Sequence, residues 1–281
     1  MTNPRNKAMN KLITLSLLIL LTISFSCKTS VKLGKKNRIV QIDTKYGAVK
    51  IKLYDETPGH RDNFIKLADK GFFDGTLFHR VIDGFMIQGG DPDSKGAKPG
   101  DILGEGGPGY DIPAEINVNL FHKKGVIAAA REGDRVNPKR MSSGSQFYIA
   151  QGKVYKPEEL DQLVVDINKK RTNEIFENQR VLYKDELTKL QRDGEFEKFN
   201  ATMEEMKSKV DSIMNTQTLV LTDAMREAYS TVGGIPHLDQ AYTVFGEVIE
   251  GMDIIDKIAA EKTDRNNRPL EDVQMKISII Q

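Results

Sequence analysis

The sequence predicts a mainly β protein: a closed antiparallel β-barrel of about eight strands, two helices that cap it, and an inserted α-helical hairpin. Residues 38–152 and 233–281 contain short alternating apolar and polar segments separated by glycine-rich turns. Residues 153–232 contain only one proline and one glycine, and their apolar residues recur at helical spacing. A closed barrel leaves no strand edge free, so many short strands favour it.

The elements follow in order along the chain. Alternation predicts strands at residues 39–44, 48–54, 78–82, 85–89, 126–130, 146–150, 243–249 and 273–280. A helix is expected over residues 57–70, because Thr57 suits the N-cap, Pro58 the first helical position and Gly71 the residue after its end. Gly251 precedes a second helix over residues 252–260, and the glycine-rich residues 92–110 are expected to form a surface loop.

The stretch FHRVIDGFMIQGGD, which begins at Phe78, is the most informative part of the barrel sequence. Strand alternation places Arg80 on the same face as Phe78. After the turn, Met86 and Gln88 share one face and Phe85 takes the other. Taken alone, this block fits equally well a hairpin with an exposed arginine.

Two further blocks follow downstream: SGSQFYI from Ser143 and LDQAYTVFG from Leu238. In this order the three blocks resemble the cyclophilin family of peptidyl-prolyl cis-trans isomerases, and the first matches the family pattern FHRVI-x-GFM-x-QGGD at nearly every position. The resemblance covers residues 38–152 and 233–281, about the size of one domain. It implies a cyclophilin-like barrel that isomerises X–Pro bonds of peptides and unfolded client proteins without a cofactor or covalent intermediate.

The resemblance also implies the site residues. Arg80 matches the catalytic arginine, and Gln88 would orient Arg80 and the substrate backbone. The implied substrate-binding residues are Phe85, Met86, Tyr148 and Leu238 around the proline ring, Ala130 and Gln146 along the groove, and His237 where many eukaryotic members carry tryptophan. The alternative is that the apolar residues are ordinary core and that the glutamines only close the barrel. Tyr148 stands where the family usually has phenylalanine, so its hydroxyl needs a partner.

The chemistry of this reaction needs few groups. Amide resonance sets a rotation barrier of roughly 18–20 kcal/mol, and the twisted state loses that resonance. A guanidinium that donates hydrogen bonds to the prolyl region in that state would favour it electrostatically. Arginine suits this role better than lysine because its planar fork holds a fixed direction.

Residues 1–26 are expected to be a lipoprotein signal peptide. A basic start precedes the apolar run Leu12–Ile23, which is too short to span a membrane comfortably. Cys27 is the only cysteine, and the small residues before it resemble the lipobox of bacterial lipoproteins. We therefore expect a lipid anchor on Cys27, a tether over residues 27–37, and a location at the periplasmic face of the outer membrane in the bacterial cell envelope. The alternative is an ordinary secretory signal with an incidental cysteine.

Charge and spacing exclude several other classes. The formal charge is +1, and it becomes −2 once the three basic residues of 1–26 are removed, so nucleic acid is not an expected partner. A G-x-G-x-x-G match at residues 104–109 has no helix after it, which argues against a nucleotide site. The four histidines show no metal-ligand spacing, so no metal site is predicted.

The insertion over residues 153–232 is predicted to be an antiparallel helical hairpin projecting from the barrel. A first helix is expected from Pro157 to Arg192, a break at Asp193–Gly194, and a short final helix at residues 223–230. Apolar residues spaced three and four apart then form a seam: Phe196, Phe199, Met203, Met206, Val210 and Ile213. Either the seam only joins the two helices, or its methionines grip unfolded clients. For the whole protein, the competing hypothesis is a non-catalytic peptide-binding chaperone or scaffold lipoprotein.

Overall fold

The computed structural model describes residues 38–281, so the predicted signal peptide, Cys27 and the tether lie outside the described residues. The strands are β1 (Arg38–Thr44), β2 (Gly47–Leu53), β3 (Arg80–Ile82), β4 (Met86–Gly89), β5 (Asp111–Ile112), β6 (Val126–Ala129), β7 (Ser142–Ser143), β8 (Phe147–Ala150), β9 (Val244–Glu250) and β10 (Lys276–Ile279). The helices are α1 (Pro58–Asp69), α2 (Pro157–Leu182), α3 (Lys184–Arg192), α4 (Phe196–Gln217), α5 (Asp223–Thr231) and α6 (Met252–Ala259).

The main sheet is antiparallel and has eight strands in the order β10-β1-β2-β9-β6-β8-β4-β3. It is curled, and its edge strands β3 and β10 do not pair with each other within residues 38–281. The gap is spanned by the segments before them, since Phe78 N donates to Val273 O (3.0 Å) and Met275 N donates to Thr76 O (2.9 Å). The predicted strand 273–280 is thus divided between two partners, and the predicted full closure of the barrel is not shown.

The main core lies between the concave face of the sheet and helices α1 and α6. Phe64 of α1 packs against three aromatic rings at centroid distances of 4.9–5.5 Å: Phe73, Phe147 and Phe245. Ile255 and Ile258 of α6 are fully buried in the same cluster. The two predicted capping helices are therefore confirmed, and they fix the sheet that carries the site.

The start of α1 differs from the prediction in one respect. Thr57 is at the N-cap position but makes no side-chain capping hydrogen bond. Glu115, from a distant loop, accepts hydrogen bonds from the backbone N–H groups of Gly59 and His60, both at 2.9 Å. A carboxylate suits a helix N-terminus better than a hydroxyl because it complements the helix dipole.

Helices α2, α3 and α4 form an antiparallel hairpin. Asn168 of α2 donates to Leu219 O just beyond α4 (3.0 Å), and Tyr183 donates to Glu205 of α4 (2.9 Å). Contacts that run in opposite directions along the two segments show the antiparallel pairing. The predicted first helix is interrupted at Tyr183, which separates α2 from α3. No helix within residues 38–281 is both long enough and apolar enough to cross a membrane.

The predicted seam of α4 is confirmed at its centre and is wrong at its start. Met206 and Val210 are buried in the hairpin. Phe196 is 66% exposed, because it begins the helix just after the Gly194 turn, where α3 has already ended. The division into a barrel domain and an insertion at 153–232 stays a prediction.

Candidate active site

Strand pairing brings the predicted site residues side by side. Arg80 on β3 stands opposite Gln88 on β4, and Gln88 stands opposite Tyr148 on β8. Residues directly opposite in an antiparallel pair have neighbouring side chains on one face of the sheet. Side chains from β3, β4 and β8 therefore meet in one row on the convex side, away from the main core.

A relay of hydrogen bonds fixes the direction of Arg80. Its Nη1 donates to Gln88 Oε1 (3.1 Å), and Gln88 Nε2 donates to Gln146 Oε1 (3.0 Å). Gln146 Nε2 donates to the carbonyl oxygens of Gly104 and Gly106, both at 2.8 Å. The glycine-rich loop, which matched a nucleotide motif by sequence, thus anchors the far end of the relay.

The Arg80 guanidinium is half-buried and has no carboxylate within 4.0 Å among residues 38–281. Burial lowers the pKa of Arg80, but an arginine side chain still stays protonated at neutral pH. Its positive charge is therefore held in place and not neutralised by a neighbouring acid.

A small pocket of about 100 Å³, whose lining is mainly apolar and aromatic side chains, opens beside Arg80. It is lined by Arg80, Phe85, Met86, Gln88, Ala130, Arg131, Tyr148, Leu238 and Tyr242. Seven of these residues are among the predicted site residues. Gln146 lies behind Gln88, and His237 stacks on the ring of Phe85 at the rim (centroids 5.5 Å apart, planes at 18°). The structure therefore brings all nine predicted residues together.

Sequence reasoning left two lining residues, Arg131 and Tyr242, out of the predicted site. The Arg131 guanidinium lies over the Tyr242 ring at 4.5 Å, and its Nε donates to Ala241 O at 2.8 Å. Tyr242 belongs to the third sequence block, which was a usable signal. Arg131 had no such signal, because it lies in a long loop with several other basic residues.

Two aromatic side chains point the opposite way from the strand-alternation prediction. Phe78 packs in the main core and not on the face of Arg80, because β3 begins only at Arg80. Phe85 packs beside Met86 at the pocket and not on the opposite face, because it still belongs to the turn before β4. Alternation holds only within a strand, so both errors come from strand ends.

The hydroxyl of Tyr148 has a buried hydrogen-bond partner, as we expected for a tyrosine at a position where the family usually has phenylalanine. It lies 2.8 Å from His122 Nε2, and His122 Nδ1 lies 3.0 Å from Asp239 Oδ1. The second oxygen of Asp239 accepts a hydrogen bond from Tyr229 OH (2.6 Å). A carboxylate only accepts, so Nδ1 of His122 donates the hydrogen bond to Asp239, which leaves Nε2 of the ring beside the hydroxyl of Tyr148. Burial raises the pKa of Tyr148, so its hydroxyl stays protonated at neutral pH.

This buried network joins the pocket to the helical segment. Tyr229 lies on α5, and the guanidinium of Arg171 on α2 donates to the carbonyl oxygen of Asp239. All four members of the chain Tyr148–His122–Asp239–Tyr229 are at most 4% exposed. Sequence reasoning missed the network, because nothing in the local pattern relates His122 to a residue 117 positions away.

His79 stands directly before Arg80 but is not placed for proton transfer at the pocket. It is buried, and burial lowers its pKa to about 4, so the ring is neutral at pH 7. It lines an adjoining cavity of about 220 Å³, which shares Arg80 and Gln88 with the pocket, and it does not line the pocket itself. Among residues 38–281, no group of three potential metal-ligating side chains is close enough to hold a metal ion.

A curled eight-stranded sheet with two packed helices, an apolar pocket and a fixed arginine beside it define a cyclophilin-like protein. The sequence profile of the family "Cyclophilin type peptidyl-prolyl cis-trans isomerase/CLD" matches residues 39–167 and 222–278. The chain therefore belongs to the cyclophilin-type peptidyl-prolyl cis-trans isomerases. The unmatched residues between the two segments correspond to most of the helical hairpin.

Known relatives agree with this assignment. A protein of Staphylococcus aureus (strain USA300), described as a candidate peptidyl-prolyl cis-trans isomerase, is 30% identical over 235 residues, which is 83% of this chain and 87% of that protein. The corresponding protein of Staphylococcus haemolyticus is 29% identical over the same length. A crystal structure of a Cryptosporidium parvum cyclophilin-type isomerase has a TM-score of 0.50 and 21% identity, covering 87% of this chain and 98% of that one. The last comparison supports the fold alone.

Proposed function

We propose that Arg80 and the adjoining pocket isomerise X–Pro bonds in peptides and in proteins that fold in the bacterial envelope. One observation carries the proposal: a guanidinium with no carboxylate within 4.0 Å among residues 38–281 is held by Gln88 at the edge of a small pocket lined mainly by apolar side chains. The pocket is suited to a prolyl ring, and the charge is available to the amide that leads into it.

The mechanism requires only rotation about one bond. With the ring held against Phe85, Met86 and Leu238, the acyl part of the X–Pro amide turns while the ring stays fixed. In the twisted state the amide nitrogen loses conjugation and becomes a better acceptor. A preorganised Arg80 donates to the prolyl region more strongly in this state than in the planar states, and this difference lowers the barrier. Gln88 holds the Arg80 guanidinium in this orientation, so little reorganisation of the side chain is needed in the transition state.

The direct test is the rate of cis–trans exchange in a short Ala-Pro peptide, measured by protease-coupled assay or by NMR exchange. The uncatalysed reaction takes about 10–100 s, so acceleration by a catalytic amount of protein is easy to detect. We expect acceleration by the protein from residue 28 onward. Binding of the peptide without acceleration would contradict the proposal and would favour a non-catalytic peptide-binding chaperone.

We further propose that the protein is lipid-anchored through Cys27 and faces the periplasm from the outer membrane. The support is the apolar run before a single cysteine. Replacing Cys27 with serine should abolish acylation and move the protein from the membrane fraction to the soluble fraction. Metabolic labelling with a fatty-acid analogue and fractionation measure both effects. Unchanged membrane partition of the Cys27→Ser protein would exclude this anchor.

A further inference from the structure

A cleft of about 570 Å³ lies between helix α2 and the loop over residues 131–140. Its walls include Arg131, Leu238 and Tyr242, which also line the proline pocket. The two cavities therefore adjoin each other across these three side chains. Leu238, Ala241 and Tyr242 are half-buried and also line the cleft, so it combines an apolar surface with charged side chains. The family profile matches α2 only as far as Ile167, so the part of this wall that follows in α2 lies outside the family match.

Basic side chains outnumber acidic ones in the cleft. The basic residues are Arg131, Arg135, Arg140, Lys170 and Arg171, and the acidic residues are Asp134, Glu174 and Glu177. One carboxylate, that of Asp134, pairs with both Arg131 (2.7 Å) and Arg140 (2.6 Å). Five basic residues against three acidic ones leave a surplus of two positive charges.

Arg171 shows that part of the surplus positive charge lies within the cleft. Its guanidinium donates to Gln217 O (2.7 Å), to Gln240 Oε1 (3.3 Å) and to a backbone carbonyl, all of them uncharged acceptors. No carboxylate lies within 4.0 Å of it among residues 38–281, and the same holds for Arg135 on the opposite wall. A partly buried cation without an acidic partner favours an anionic ligand.

We propose that this cleft holds the part of the substrate polypeptide that continues beyond the proline pocket, and that it selects segments carrying an acidic side chain. The inference rests on the proposed function of the pocket. A polypeptide with its proline in that pocket advances about 3.3 Å per residue when extended, so a few flanking residues reach across the shared wall into the cleft. Apolar side chains of the substrate contact Leu238 and Tyr242, and a carboxylate of the substrate approaches Arg135 and Arg171. The preferred substrates are then client chains with Asp or Glu a few residues from the isomerised proline.

The test compares Ala-Pro peptides that carry either glutamate or alanine at each of three positions on each side of the Ala-Pro pair. For the wild-type protein, kcat/KM should be at least about threefold higher for glutamate than for alanine on one side. The double variant Arg135→Glu, Lys170→Glu should abolish or invert this preference while isomerising the all-neutral peptide normally. Both side chains are exposed and lie outside the proline pocket. The matched control is Lys139→Glu, Lys169→Glu, which changes the net charge equally at exposed positions outside the cleft.

The proposal is supported if the Arg135→Glu, Lys170→Glu protein loses the preference for glutamate peptides and the Lys139→Glu, Lys169→Glu protein keeps it. The preference of the wild-type protein should also weaken in 0.5 M salt, because salt screens exposed charges. Equal rates for glutamate and alanine peptides, or equal effects of both double variants, would overturn it. If no peptide is isomerised, the function proposed for the pocket is wrong. Fluorescence anisotropy with the same labelled peptides then still tests the cleft, since equal Kd values for the two series would refute it.

Discussion

Replacing Arg80 with alanine should lower kcat/KM on an Ala-Pro peptide by at least about tenfold, a loss of roughly 1.4 kcal/mol or more in transition-state stabilisation. The reason is that Gln88 orients the Arg80 guanidinium at 3.1 Å and that no carboxylate lies within 4.0 Å of it in the part of the chain that the structure describes. The measurement is the peptide assay at several substrate concentrations. A drop in kcat at nearly constant KM would show that the arginine acts mainly on the twisted state.

Two further variants make this result interpretable. Arg80→Lys keeps the charge but loses the planar fork, so it should recover only part of the activity. Arg192→Ala removes an exposed arginine at the end of α3 and should leave the rate unchanged. Urea unfolding of all three proteins checks that the sheet remains intact. Wild-type turnover in a folded Arg80→Ala protein would remove Arg80 from the mechanism.

Replacing Asp239 with alanine should lower the free energy of unfolding by roughly 3 kcal/mol or more. The carboxylate of Asp239 accepts from His122 N (2.8 Å), from His122 Nδ1 (3.0 Å) and from Tyr229 OH (2.6 Å). Alanine leaves all three donors buried without an acceptor, and each unsatisfied donor costs about 1–3 kcal/mol. The measurement is the urea midpoint and slope, which together give the free energy.

The comparison variants for Asp239 separate the network from a general loss of charge. Asp239→Asn keeps one acceptor oxygen and should lose clearly less stability. Asp185→Ala removes an exposed carboxylate from α3 and should change the free energy by less than about 0.5 kcal/mol. A loss below about 1 kcal/mol for Asp239→Ala would mean that water replaces the carboxylate, and the network would then not fix the pocket.

Much of the barrel could be predicted from the sequence because its signals are local. Alternation and turn residues locate the strands, and Pro58 and Gly71 bracket α1 to within two residues. Closure could not be predicted, because it depends on how residues 273–280 divide between two partners that are distant in sequence. The cap of α1 is likewise non-local, since Glu115 replaces the expected Thr57.

In the candidate site, too, local features could be predicted from the sequence and contacts between distant residues could not. Arg80, Gln88 and Tyr148 could be named because they lie in recognisable blocks, and strand pairing then places them in one row. The partner of Tyr148 could not be named, because His122 meets it only through the folded sheet. The cleft could not be predicted from the sequence either, since its walls come from α2 and from a loop whose basic residues form no recognisable motif.

The buried chain from Tyr148 to Tyr229 constrains how this protein can change over evolutionary time or by design. A deletion of residues 156–230 would remove Tyr229 and with it the hydrogen bond that its hydroxyl donates to Asp239. His122 would then be the remaining side chain that donates to this carboxylate. Removal of the helical segment is therefore expected to destabilise the network behind the pocket, even though the hairpin tip is far from the pocket in sequence. We expect a shortened protein to regain stability through substitutions at Asp239, His122 and Tyr148 that remove the unpaired polar groups. The tyrosine in the pocket and the added helices are then expected to be gained or lost together among relatives.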